Sequence, residues 1–332
     1  MSNDKHTPPG NGKPVLSTAP DVLAGRGRRT VHLGDLLFGG SARASSLIIV
    51  VVVLIIGAFL LGNAWQPLLD NTANFFASTT FDASSRPPHF GVAALLWTTV
   101  LSSLIALLIA VPVAVGIALL LTQYVGGRVS RWIGFVIDLL AAVPSVIFGL
   151  WGIKVLGPAL QPVAHWLQAH LGWFPLFGST QVTSPGTVFT ASLVLALMIL
   201  PIITAVTRDV FAQTPREQIE AALALGATRW ETIRMAVLPY GRSGATAAAM
   251  LGLGRALGET IAVMLILSAS SFDVSVFSGG ETFASVIARN AAEFDTTYKA
   301  GIYISAGLVL FVLTFAVNAL ARVVAERGKA KS

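Results

Sequence analysis

Arg255 and Glu259 stand four residues apart in the stretch GLGRALGET, residues 252–260. On one face of a helix that spacing lets a guanidinium meet a carboxylate. Two chemistries follow. The side chains can neutralise each other and lock helices together, or the guanidinium can offer its planar fork to an oxyanion while Glu259 keeps it oriented. The flanks, ATAAAML and IAVMLIL, suit hydrocarbon, where a charge at the bilayer centre costs roughly 2.5–3.5 kcal/mol. A pair held there needs a reason.

Little other chemistry is on offer. The chain has no cysteine, which excludes disulfides, cysteine-ligated zinc and iron-sulfur clusters. His165 and His170 are five apart, off the i, i+4 spacing of a helical metal pair, so no metal site is expected. No Walker A motif occurs, and GNGKP puts Pro14 where a hydroxyl should follow Lys13. GLGRALG has Leu257 at the third glycine position and lies in an apolar run rather than after a strand, so it is not a dinucleotide fingerprint. No set of nucleophiles or metal ligands converges, and no cofactor and no enzymatic activity are expected of this chain.

The elements that must position Arg255 and Glu259 are membrane helices. Of 332 residues 54% are hydrophobic and 11% charged, against about 25% charged in soluble domains, and the mean hydropathy is +0.74. Residues 1–44, rich in Gly, Pro and Ser, read as a disordered tail. Six apolar segments are long enough to span: 45–62, 92–121, 132–156, 187–206, 245–267 and 301–321. The chain is therefore expected to be an all-α, polytopic membrane protein with a six-span domain over 45–322 and a short tail at 323–332. Lys and Arg gather in the tail, at Arg128 and Arg131, between Arg208 and Arg242, and after Ala321, whereas only Arg86, Lys154, Arg289 and Lys299 fall on the other side. The positive-inside rule then places both termini in the cytoplasm.

Pro112, Pro144 and Pro201 fall inside predicted spans, as ordinary packing features or as hinges. Asp138 is either a polar pore group or an interfacial residue near Arg131. VAHWLQAHLGWF, residues 163–174, reads as a helix lying along the outer surface. Ala247, Ala248, Gly252, Gly254 and Gly258 form a small-residue ridge that would let another helix approach.

The inner loop 214–244 is punctuated like a folded helical hairpin. Thr214, Pro215 and Glu217 suggest an N-cap, a first-turn proline and a capping-box glutamate; Thr228 and Glu231 repeat the device. Gly226 is placed to end the first helix in the left-handed region, and Pro239 to end the second. Ile219, Ala222, Leu223 and Leu225, then Trp230, Ile233, Ala236 and Val237, leave an apolar face. Tethering at both ends argues against nucleic-acid binding; a docking knob for a cytoplasmic partner fits better.

EAALALGATRWETIRMAVLP, residues 220–239, resembles the EAA loop of ABC-importer permeases. Glu220, Ala221, Ala222, Gly226, Leu238 and Pro239 match the pattern, and Ala236 stands where isoleucine is usual. AAVPSVIFGLWG and LPYGRSGATAAAMLGLGRALGETIAV extend the resemblance, over about residues 45–322, to the C-type permease family of the bacterial phosphate importer, the Pst system. The resemblance implies a type I, MetI-like permease of the bacterial inner membrane, carrying half of a phosphate path in which Arg255 and Glu259 lie. It also implies docking of the EAA loop onto a dimer of ATPase subunits that bind the ATP, pairing with a homologous A-type permease, and an extracytoplasmic phosphate-binding protein. Permeases for sulfate, molybdate or phosphonate share the EAA loop. A secondary transporter would show related halves, and no second GRALGET occurs.

Overall fold

The computed structural model describes residues 33–85, 87–178 and 184–329, with side chains from 40 to 323. The tail expected over 1–44 lies outside the described residues up to 32. From there α1 (Leu33–Asp70) begins ahead of the predicted start at Ser45. No proline separates residues 33–44 from the apolar run, and each residue added to a nucleated helix gains a hydrogen bond. The chain divides into two compact units, residues 1–53 and 54–332. The described part of the first is the opening of α1; the second holds the rest of α1 and every later element.

Among the described residues the regular elements of that second unit are helices apart from β1 (Phe81–Asp82) and β2 (His89–Phe90), an antiparallel pair with Phe81 opposite Phe90. α2 (Ala93–Leu119) runs on through a π-helical turn to Tyr124 and packs along α6 (Val188–Ala212). Ala106, Ala110 and Ala114 recur every four residues on α2 and are fully buried, in one cluster with Val194, Ile199 and Ile203 of α6. Small side chains allow such close approach where lipid provides no hydrophobic drive between helices. α12 (Thr297–Lys329) returns beside the end of α1: Tyr298 donates to Asp70 at 3.1 Å.

Five helical stretches among the described residues are long and apolar enough to cross a membrane. Two of the six predicted spans differ from a single helix. The third, 132–156, consists of α3 (Gly127–Ala141), a break at 142–144, and α4 (Ser145–Trp151) followed by a π-helical turn, Gly152–Leu156. Pro144 does not kink a helix here; it precedes α4 with ψ 138°, and a proline also drives the residue before it out of helical conformation. The run then continues as α5 (Gly157–Leu171), so the expected surface helix 163–174 is mostly the far end of that run. Pro158 falls in the first turn of α5, and the π-helical turn supplies the wider step there, Gly157 N–H to Gly152 O.

The fifth span, 245–267, is also interrupted. α9 (Leu238–Leu257) closes at Gly258, and α10 (Ile261–Ile266) restarts after Thr260. The two short half-helices lie together: a Cβ on Gly149 of α4 would sit 2.8 Å from Cα of Ala262 on α10.

The inner hairpin forms with two changes. α7 (Arg216–Ala224) has Pro215, not Thr214, at its N-cap, because the Thr214 hydroxyl donates back to Phe211 O at 2.9 Å and closes α6. Gly226 does end α7, with φ +83°; Gly226 N–H bonds Leu223 O and Ala227 N–H bonds Ala222 O, the Schellman arrangement. α8 (Arg229–Thr232) opens with the reciprocal Thr228–Glu231 capping box. Pro239 does not stop the helix. It occupies the first turn of α9, where no N–H is missed, and a π-helical turn at Ile233–Val237 passes the chain across. Residues 229–257 are one uninterrupted helical run.

Candidate functional site

The break in span five separates the two charges that the sequence pairs. Arg255 lies in the last turn of α9, while Glu259 lies beyond Gly258 and serves the next helix: its Oε1 accepts from Ala262 N–H at 3.2 Å. No ion pair joins them among the described residues. The four-residue spacing presumes a continuous helix, and the turn at 258–260 removes that geometry. A carboxylate at a helix N-terminus meets unpaired N–H groups, so Glu259 has a partner without Arg255.

Arg255 is exposed and lines a groove of about 500 Å³ between α6, α9 and α12, walled by Ile202, Met250, Leu251 and Gly254, with Asn318 as another polar group. A guanidinium without a carboxylate keeps its fork of donors available to an oxyanion. The small-residue ridge is divided. Ala248 and Gly252 are buried, Gly252 over Ile199 and Ile203 of α6, whereas Gly254 meets no atom within 4 Å and opens onto the groove.

The other candidate residues form a surface at the opposite end of the run 229–257. Glu220, Ala221, Gly226 and Pro239 are exposed, and Ala222 and Leu238 are half-buried. Around them Leu223, Leu225, Trp230 and Met235 are exposed too, Leu225 at 89%. The expected apolar face is thus divided: Leu223, Leu225 and Trp230 stay exposed, while Ala236 is buried and Ile233 and Val237 pack in one cluster with Phe211 and Ala118. Glu231 accepts from Thr228 N–H and Oγ1, each at 2.8 Å, and these bonds hold its carboxyl below the usual range.

Asp138 is exposed on α3, with no ion pair among the described residues. His170 stacks on Trp166, centroids 4.6 Å apart, and its Nδ1 lies 2.8 Å from Trp166 O. Sequence reasoning treated Arg289 only as a charge bearing on topology. Its contacts with Glu281 and α10 carbonyls link segments whose proximity no local pattern announces.

Residues 110–329 match the sequence profile of the binding-protein-dependent transport system inner membrane component. The phosphate transport system permease protein PstC 2 of Mycobacterium tuberculosis is 56% identical over 302 residues, which is 90% of this chain and 93% of that protein. PstC of Mycobacterium leprae is 57% identical over 271 residues, 80% of this chain and 85% of that one. A chain from an inward-facing structure of the MetNI methionine ABC transporter is similar in fold, with TM-score 0.53 and 15% identity, over 71% of this chain and 96% of that chain.

Proposed function

The chain belongs to the family of binding-protein-dependent transport system inner membrane components, and we propose that it is the transmembrane permease subunit of an ATP-driven inorganic phosphate importer. The phosphate assignment is supported by relatives more than half identical over most of the chain. In this reading the exposed face of α7 and α8 docks on a dimer of separate ATPase subunits, which bind the nucleotide, while this chain holds no cofactor. A homologous A-type permease supplies the other half of the path, and an extracytoplasmic phosphate-binding protein delivers the substrate. Both termini lie on the cytoplasmic side of the bacterial inner membrane.

The observation that carries the reading is the helical run 229–257. It joins the exposed Trp230 end to Arg255 as continuous helix, through the π-helical turn at Ile233–Val237. Movement of the ATPases against the hairpin is therefore delivered as rigid-body tilt at the groove. Arg255 offers phosphate a transient contact, and Glu259, anchored to α10, adds negative charge near the path that favours release over tight binding. The test is labelled phosphate uptake into vesicles holding the assembled transporter. Arg255→Gln is expected to reduce uptake with assembly preserved; undiminished uptake removes Arg255 from the path.

A further inference from the structure

α10 has six residues, too few for a helix to hold itself together. Glu259 secures its first turn, and a second charged residue secures its last. Nη2 of Arg289 donates to the carbonyls of Met264 at 3.2 Å and Leu267 at 2.9 Å, groups left without partners where a helix ends. Nε of the same guanidinium meets Glu281 Oε1 at 2.9 Å.

Arg289 closes α11 (Phe283–Arg289), which is itself firmly seated. Phe283 and Ser285 are fully buried, and Thr282 and Ser285 form a reciprocal capping box. Phe283 N–H donates to Thr99 Oγ1 of α2 at 3.2 Å, and Phe283 and Val286 share a cluster with Tyr303 and Ala306 of α12. The guanidinium therefore reaches from a fixed block of α2, α11 and α12 to a half-helix with little stability of its own.

We propose that Arg289 is a positioning residue for transport: it braces α10 from its carbonyl end, and so fixes the turn at 258–260 and the placement of Glu259 at the other end. The inference rests on the phosphate-permease reading. Arg289 touches no substrate; it acts through α10.

The test uses the complete transporter in vesicles, with phosphate uptake and ATP hydrolysis measured together and amide exchange followed over residues 261–267. In Arg289→Gln, exchange there is expected to speed up roughly tenfold as the charge-assisted bonds are lost. Phosphate moved per ATP is expected to fall about fivefold or more, since small displacements at a working site are costly. Arg289→Lys, which keeps a cation, restores part of both. Unchanged exchange overturns the brace. A smaller quantity of assembled complex with the phosphate-to-ATP ratio intact shows a folding role only and overturns the positioning role. If Arg289→Gln does not assemble, Glu281→Gln decides, because it removes the carboxylate that holds the guanidinium on the two carbonyls: a lowered ratio with faster exchange over 261–267 upholds the proposal, and an unchanged ratio overturns it. A wild-type complex that moves no phosphate defeats the permease reading instead, and the exchange measurement still judges the brace.

Discussion

Glu259 and Ala262 are joined by a hydrogen bond of 3.2 Å, backbone N–H to Oε1, which makes the carboxylate part of the first turn of α10. Arg255 ends the preceding helix and faces a groove instead. The two charges of one short motif thus have separate duties, one structural at a helix start and one directed at open space.

If the duties are separate, neutralising one charge cannot repair loss of the other. Arg255→Gln is expected to lower phosphate uptake about tenfold or more, and adding Glu259→Gln should leave the defect or deepen it, the two effects multiplying as independent sites do. Recovery of uptake in the double variant would mean that the residues neutralise each other after all.

Gly149→Ala should separate the half-helices. The new Cβ would lie 2.8 Å from Cα and 3.1 Å from the carbonyl O of Ala262, backbone that cannot swing aside, and overpacking of this kind costs about 1–3 kcal/mol. Gly116→Ala is the control: nothing lies within 4 Å, and an interior helix position gains up to about 1 kcal/mol from the change. Thermal unfolding of the purified complex should place the two variants on opposite sides of the wild type.

Gly226→Ala acts through backbone alone. With φ at +83° and no atom within 4 Å, the only cost is the left-handed conformation, about 1–2 kcal/mol for a residue with a Cβ. The α7–α8 hairpin loosens, and co-purification of the ATPase subunits falls; Gly226→Asn should be milder, since asparagine tolerates that region.

Two glutamates respond to acid in opposite ways. Glu231 titrates below its ordinary value of 4.5 because Thr228 donates to it. Its contribution is complete above that value and is lost as pH falls through the lowered one. Glu281 titrates above 4.5 because burial outweighs the attraction of Arg289. Its ionised form costs stability at neutral pH, and that cost disappears as pH falls through the raised value. Amide exchange against pH should show Thr228 losing protection only below 4.5, and α11 gaining it from above 4.5 downward. Identical trends at both sites would refute the assignment.

Composition, hydropathy and charge distribution were enough for a polytopic helical membrane chain, and GLGRALGET with the EAA stretch marked the regions of interest. Thr228, Glu231 and Gly226 were legible because capping and left-handed turns are settled within a few residues. Thr214 and Pro239 were misread because their outcomes depend on the neighbouring helix: one hydroxyl turned back to close α6, and a π-helical turn made room for the proline. The breaks at 142–144 and 258–260, the seating of α4 on α10, and the reach of Arg289 to Leu267 were decided only by the tertiary structure. A six-residue helix has no stability that local propensity can record; it exists because distant segments supply its packing and satisfy its ends.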